Sequence, residues 1–410
     1  LAKISRRGFL FGGAAATGAI VSASASAAVA SNIATKNATA AANRANQTAV
    51  LKRRERFFGS HQNGIEAELQ TFTNFVAFDL NPEVDTDAVT RWFKLLTDDI
   101  ARLSAGEAVL ADPTPQLAIG PARFTATLAI GPSFFDKLGL NDKKPVGFEQ
   151  LPAFKIDRLR DEFSYGDVLL HVSADDPIVL SHGVRSLVRD SVAFAKVRYS
   201  QQGFANAQGV VPGGVRQRNL MGQVDGTDNP EIGSEDFNNV VWIEDGPDWL
   251  VGGTYLVFRR IAMQLGTWDS LGRTDKELVI GRNLSNGAPL GKTNETDPID
   301  FDAVGENGLK LIPDFAHIRR AHATNPQERI FRRPFNYEVG MTEDGEPDVG
   351  LLWTAYQRNI QTQFLPIQQR LDQLDLLNKW TVPIGSAVWV VLPGVEQNSN
   401  DDYLGKKLFQ

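Results

Sequence analysis

Two hydrophobic periods share the chain. Val76, Phe78 and Leu80 alternate with their neighbours, as do Phe124, Ala126, Leu128 and Ile130, and both runs predict half-buried strands. Between them Val89, Trp92, Phe93, Leu96, Ile100 and Leu103 recur at helical spacing, behind Asp85 and Thr86 as cap candidates. Residues 166–172 predict a further strand and 178–197 an amphipathic helix. The second half repeats the theme: 253–265 predicts a strand, 268–280 a helix, 351–377 a long helix and 386–392 a strand. A Gly/Gln/Asn-rich stretch over 205–220 separates two similar α+β halves.

The ends read differently. Ser5-Arg6-Arg7-Gly8-Phe9-Leu10 is a twin-arginine pattern, followed by a Gly/Ala-rich stretch and the small-residue site Ala28-Val29-Ala30. Residues 1–30 therefore predict an export signal and 31–56 a flexible leader. A first domain over 57–212, a second over 213–396 and a tail over 397–410 complete the expected plan. Export by the twin-arginine route implies a periplasmic or secreted protein. No later run approaches the length of a membrane-spanning helix, so no stable membrane insertion is expected.

Composition narrows the chemistry. The 410 residues contain no cysteine and five histidines. That excludes disulfides, a thiol nucleophile, iron–sulfur clusters, thiolate-ligated haem and CxxCH attachment, and leaves His or Tyr to hold any haem. The histidines are too scattered for an HExxH zinc site. Net charge is −7 and falls to about −10 without the three cations of residues 1–30, so nucleic acid is not an expected partner.

Two segments carry candidate chemistry. Gly222-Gln-Val-Asp225-Gly226-Thr-Asp-Asn-Pro230 is, taken alone, a turn whose glycines let backbone approach a flat ligand. Its acidic spacing does not match a calcium loop. Phe315-Ala-His317-Ile-Arg-Arg-Ala-His322 precedes Ile330-Phe-Arg332-Arg333-Pro334. Either histidine alone fits a core position as well as a ligand position, and at a separation of five they point in different directions on a helix. The run Gly287-Ala-Pro-Leu-Gly291-Lys292-Thr293 is one residue short of a phosphate loop.

Together these segments resemble the dye-decolorizing peroxidases, in particular the exported branch that includes deferrochelatase-type iron-uptake proteins. The resemblance runs from Gly59-Ser-His-Gln-Asn-Gly-Ile65 to Pro393-Gly-Val395. It includes Ser200-Gln-Gln-Gly-Phe204, Arg218-Asn-Leu-Met-Gly222, Ile280-Gly-Arg282, Gly287-Ala-Pro-Leu-Gly291 and Gly350-Leu-Leu-Trp-Thr-Ala-Tyr-Gln357, with Gly222 to Gly226 as the GxxDG signature.

The resemblance implies an α+β fold of duplicated ferredoxin-like domains with antiparallel sheets, and haem b bound mainly by the second half. It places the proximal iron ligand on His317, the distal aspartate on Asp225 and the distal arginine on Arg332, with Gly226 and Arg282 as further cofactor contacts; Leu352 and Phe364 fit a cofactor contact and ordinary core packing equally. His322 is not the expected ligand. Pro334 departs from the pattern, which usually has Gly after the arginine pair. The implied reaction uses hydrogen peroxide to oxidise dyes, phenolics or similar bulky aromatic donors through surface aromatics; the candidates are Trp242, Trp249, Trp268, Trp353, Trp380, Trp389 and Tyr337, and buried packing is the default reading for each. Asp225 would shuttle a proton, and Arg332, which keeps its charge, would stabilise the leaving oxygen. The rival readings are release of iron from haem and a haem carrier without turnover. A homo-oligomer is compatible with all three.

Overall fold

The computed structural model describes residues 53–118, 120–211, 216–397 and 401–410; the twin-arginine segment and most of the leader lie outside them. The first half runs β1 (Phe72–Leu80), α1 (Thr86–Ala105), β2 (Thr125–Ile130), α2 (Pro132–Leu138), β3 (Val168–Ala174), α3 (Pro177–Ser191) and β4 (Ala195–Phe204). The second runs α4 (Glu235–Val241), β5 (Thr254–Met263), α5 (Leu265–Asp269), α6 (Arg273–Ile280) and α7 (His317–Ala321). It continues through β6 (Phe331–Arg332), β7 (Phe335–Met341), β8 (Pro347–Gln357), α8 (Leu365–Leu374) and β9 (Thr381–Val391).

Hydrogen bonding orders the first half β2-β3-β1-β4 and the second β7-β8-β5-β9, antiparallel throughout. The two orders are equivalent, with β5, β7, β8 and β9 standing where β1, β2, β3 and β4 stand. This is the duplicated ferredoxin-like arrangement that the sequence implied. Short seams join the halves: Ala129 and Ile130 face Val391 and Val390, and Phe204 faces Asn336, so eight strands close into a ring. Residues 51–410 cluster as one compact unit rather than two separate bodies.

Closure explains where the alternation reading fell short. β1 and β2 are buried on both faces, not one. Phe75, Ala77 and Ala129 face a core inside the ring, while Val76, Phe78, Leu128 and Ile130 face the core under the helices. A strand buried on both sides has no polar face to show. The same effect misled the reading of 351–377 as one long helix. Pro347–Gln357 is strand β8, followed by a π-type turn (Ile360–Phe364) and only then by α8. The helix expected over 178–197 ends at Ser191, and Ala195 already belongs to β4. The helix expected over 268–280 is broken into α5 and α6.

Helix α1 forms as expected, with Asp85 accepting a hydrogen bond from Ala88 N (2.8 Å) and Gly106 closing the other end. Pro334 interrupts β6 and β7 without shifting them, since Arg332 faces Ala355 and Phe335 faces Leu352 in one register along β8. It removes a single ladder donor and leaves the distal segment in place. Leader and tail are tied in where described: Glu55 pairs with buried Arg123 (2.8 Å), and Leu404 and Leu408 are buried beside α1.

Candidate active site

Between α6, α7, α8 and the outer face of β5 and β8 lies a cavity of about 500 Å³. Ile261, Met263, Ile280, Leu351 and Trp353 give it apolar walls, and His317, Asp225, Arg332 and Arg282 give it polar ones.

His317 is the first residue of α7. Its Nδ1 lies 2.6 Å from Asp375 Oδ2, while Nε2 makes no hydrogen bond. Asp375 is itself held, because its Oδ1 accepts from Leu377 N (3.0 Å) and Leu376 N donates to Phe315 O (3.0 Å). Burial pushes the His317 imidazole down, but the Asp375 carboxylate outweighs it and leaves the pKa above its ordinary value. A carboxylate on one imidazole nitrogen fixes the ring and makes the other nitrogen a stronger ligand. Sequence reasoning missed Asp375, which lies 58 residues from His317 and follows a helix end like any capping aspartate.

Asp225 is presented by a small hairpin. Asp225 N donates to Gln217 O (3.1 Å) and Asn219 N to Gln223 O (3.0 Å), with Gly222 (φ 81°) at the turn and Gly226 (φ 85°) just beyond it. Arg218 anchors this hairpin to the loop after α6 through Gly222 O and Leu284 O (2.7 and 2.8 Å). Asp225 Oδ1 is 3.1 Å from Arg332 Nη1, but no N–H points along that line, so this buried oxygen is left without a donor. We treat the contact as an ion pair rather than a directed hydrogen bond.

Arg332 is held through its backbone. Asn229 Nδ2 donates to Arg332 O (2.7 Å), and Arg332 N donates to Asn229 Oδ1 (3.1 Å). The sequence placed Asn229 only in a rigid loop; the structure makes it the clamp that brings the Asp225 turn to the arginine. Arg282 donates to Gly287 O and Glu295 O (2.7 and 2.9 Å), and burial lowers its pKa against the pull of Glu295 and Asp228.

Of the expected site residues, His317, Asp225, Arg332, Gly226 and Arg282 all line this cavity. Leu352 and Phe364 do not. Successive side chains of β8 alternate faces, so Leu351 and Trp353 reach the cavity while Leu352 points into the ring core. Phe364 packs behind Trp353 at 5.8 Å. His322 also borders the cavity, against Phe301, but no carboxylate holds it.

Comparisons with known proteins show the family. Residues 62–205 match the model of the Dyp-type peroxidase N-terminal domain, and residues 216–396 match that of the C-terminal domain. The chain belongs to the Dyp-type peroxidase family. It is 35% identical to a dye-decolorizing peroxidase of Thermobifida fusca, over 99% of this chain and 97% of the relative. To a deferrochelatase of Shigella flexneri it is 33% identical, over 86% of this chain and 87% of the relative. Among solved structures, the DyP-type peroxidase of Cellulomonas bogoriensis is 41% identical with a TM-score of 0.84, covering 88% of this chain and 99% of that one. That of Streptomyces coelicolor is 35% identical with a TM-score of 0.85 at the same coverage. The reading as a peroxidase stands with the family.

Proposed function

We propose that the cavity binds haem b and that the protein uses hydrogen peroxide to oxidise bulky aromatic donors. The observation that carries this reading is the unbonded Nε2 of His317, oriented by Asp375 in an apolar cavity that also holds the donor-free Asp225 Oδ1 and the Arg332 guanidinium. An imidazole nitrogen free to ligate iron, an apolar wall and a guanidinium suited to a carboxylate fit haem b.

When bound, the haem iron supplies the redox chemistry. The chain supplies the rest. Asp375 holds the His317 ring by Nδ1 and leaves Nε2 as the nitrogen that would ligate the iron. Asp225 Oδ1 takes a proton from peroxide and returns it to the departing oxygen. Arg332 keeps its charge and stabilises the negative charge that develops there. Asn229 fixes the distance between these two groups by holding the Arg332 backbone.

The test is the absorption spectrum of purified, haem-loaded protein. His317→Ala is expected to lose the Soret band and His322→Ala to keep it; a normal band in the first variant would remove the ligand assignment. The deferrochelatase relatives raise iron release as a second reading, and ferrous iron freed from the same sample without peroxide would favour it. We also propose export through Ser5–Leu10: changing Arg6 and Arg7 to Lys is expected to leave the protein in the cytoplasmic fraction, and unchanged export would refute the signal.

A further inference from the structure

Inside the ring, on the side of β8 away from the cavity, lies a polar group that the proposed reaction does not use. Tyr356 Oη is 3.1 Å from His171 Nδ1, and His171 Nε2 is 2.9 Å from Thr73 Oγ1. The neighbours set the direction of these bonds. Val172 O, 3.1 Å from Thr73 Oγ1, can only accept, and giving it the one Thr73 hydroxyl hydrogen leaves the Thr73 oxygen to accept from His171 Nε2–H. Ser173 Oγ, 3.0 Å from that oxygen and 3.3 Å from His171 Nε2, can donate to the first and accept from the second. With the proton on Nε2, Nδ1 of the neutral ring is an acceptor and takes the Tyr356 O–H.

The pair is dry. Tyr356 is fully buried, His171 is 3% exposed, and Phe75 stacks on the imidazole at 4.1 Å. Burial, with Arg333 adding to it, pushes His171 down to about 3, and burial also pushes the Tyr356 phenol well above its ordinary value. Neither group therefore changes charge by ordinary titration.

Two other buried tyrosines lack this arrangement. The Tyr199 hydroxyl has no hydrogen-bond partner, and the Tyr337 hydroxyl has no base beside it, only the Arg260 guanidinium. The Arg260 guanidinium also lies 3.9 Å over the Tyr337 ring, which opposes positive charge there. Tyr356 is also close to the cavity. It adjoins Ala355, the register partner of Arg332, and lies three residues along β8 from Trp353 on the cavity wall, about 10 Å at the rise of a strand.

We infer that Tyr356 and His171 form a proton-coupled internal electron donor to the cavity. The Tyr356 O–H bond breaks. Its electron would pass to a haem held in the cavity that hydrogen peroxide had oxidised, which would take up that one equivalent. Its proton moves to His171 Nδ1, leaving a neutral phenoxyl radical beside an imidazolium. One electron from a donor molecule and the return of the same proton restore the pair. The weak basicity of His171 drives that proton back, and the dry surroundings keep it from escaping. This inference rests on haem occupying the cavity.

Two measurements test it. In haem-free protein carrying ¹⁵N-labelled histidine, NMR is expected to find His171 protonated on Nε2 and hydrogen-bonded at Nδ1, with the Nδ1 resonance shifting in Tyr356→Phe. In haem-loaded protein mixed with peroxide without donor and freeze-quenched, EPR is expected to show a tyrosyl signal that Tyr356→Phe abolishes and Tyr337→Phe leaves intact. A proton on Nδ1, or a normal Soret band with a tyrosyl signal unaffected by Tyr356→Phe, would overturn the inference alone. Absence of a Soret band from the loaded wild type would remove the haem reading and the inference with it.

Discussion

The crossover from β1 to β2 and its counterpart from β5 to β7 leave equivalent strands of equivalent sheets, and they end in opposite results. The first is dominated by α1, 20 residues long, which lays Val89, Trp92, Phe93, Leu96 and Ile100 on the sheet and fills the space beneath it. The second is cut into α5, α6 and α7, of five, eight and five residues, with long loops between α6 and β6. Gly281, at the end of α6, has no Cβ where one would come within 2.7 Å of Ile318 on α7, so the short helices can close on each other while still standing off the sheet. A cavity thus arises where the same fold declines to use a full-length helix. The space under the first crossover is filled with side chains, and the candidate chemistry lies under the second.

Substitutions at matched places can break or sharpen that contrast. Trp92→Ala in the filled half should destabilise the protein by about 3–5 kcal/mol, from the void and from the lost bond of Trp92 Nε1 to Ser191 Oγ. Trp353→Ala, on the cavity wall, should cost clearly less in denaturant unfolding of haem-free protein; equal losses would mean that the two crossovers are packed alike.

Asp375→Asn should reach the cavity without touching the filled half. Haem affinity is expected to fall on the order of 10–100-fold, as for other carboxylates behind a ligating histidine, in a titration followed at the Soret band. Unchanged affinity would reduce Asp375 to a helix cap.

The smallest effect belongs to the filled half and depends on pH. Burial, and then hydrogen bonding to Asp190 on α3, raises Asp99 on α1 to about 7. The folded state therefore holds this proton more tightly than the unfolded chain does. The stabilisation is complete below the ordinary carboxyl range and is lost as pH rises through about 7. The thermal midpoint should fall between about pH 4 and pH 7, and Asp99→Asn should flatten that fall. An equally steep fall in the variant would assign it to other groups.

Legibility followed the same divide. Helix α1 could be read directly because one face is polar, the other apolar, and Asp85 caps it. β8 could not, because Leu351 and Leu352 are both apolar for different reasons: one faces the cavity and the other the ring core. Leu352 and Phe364, which the resemblance offered as cofactor contacts, take the core-packing alternative instead. His317, Asp225 and Arg332 were legible through their order and the motifs around them. Asp375 and Asn229 were not, since a lone aspartate or asparagine in a turn carries no trace of a partner 58 or 103 residues away.

The thin seams of the ring have a consequence of their own. Each half ends in two strands whose outer hydrogen-bonding groups meet only the other half, through Ala129, Ile130 and Phe204 on one side and Val391, Val390 and Asn336 on the other. Severed between Phe204 and Arg216, either piece would expose two raw sheet margins, the surface on which chains polymerise. Reunited, the two pieces would each be the other's natural cover. The duplication that built this molecule also makes each copy the chaperone of its twin.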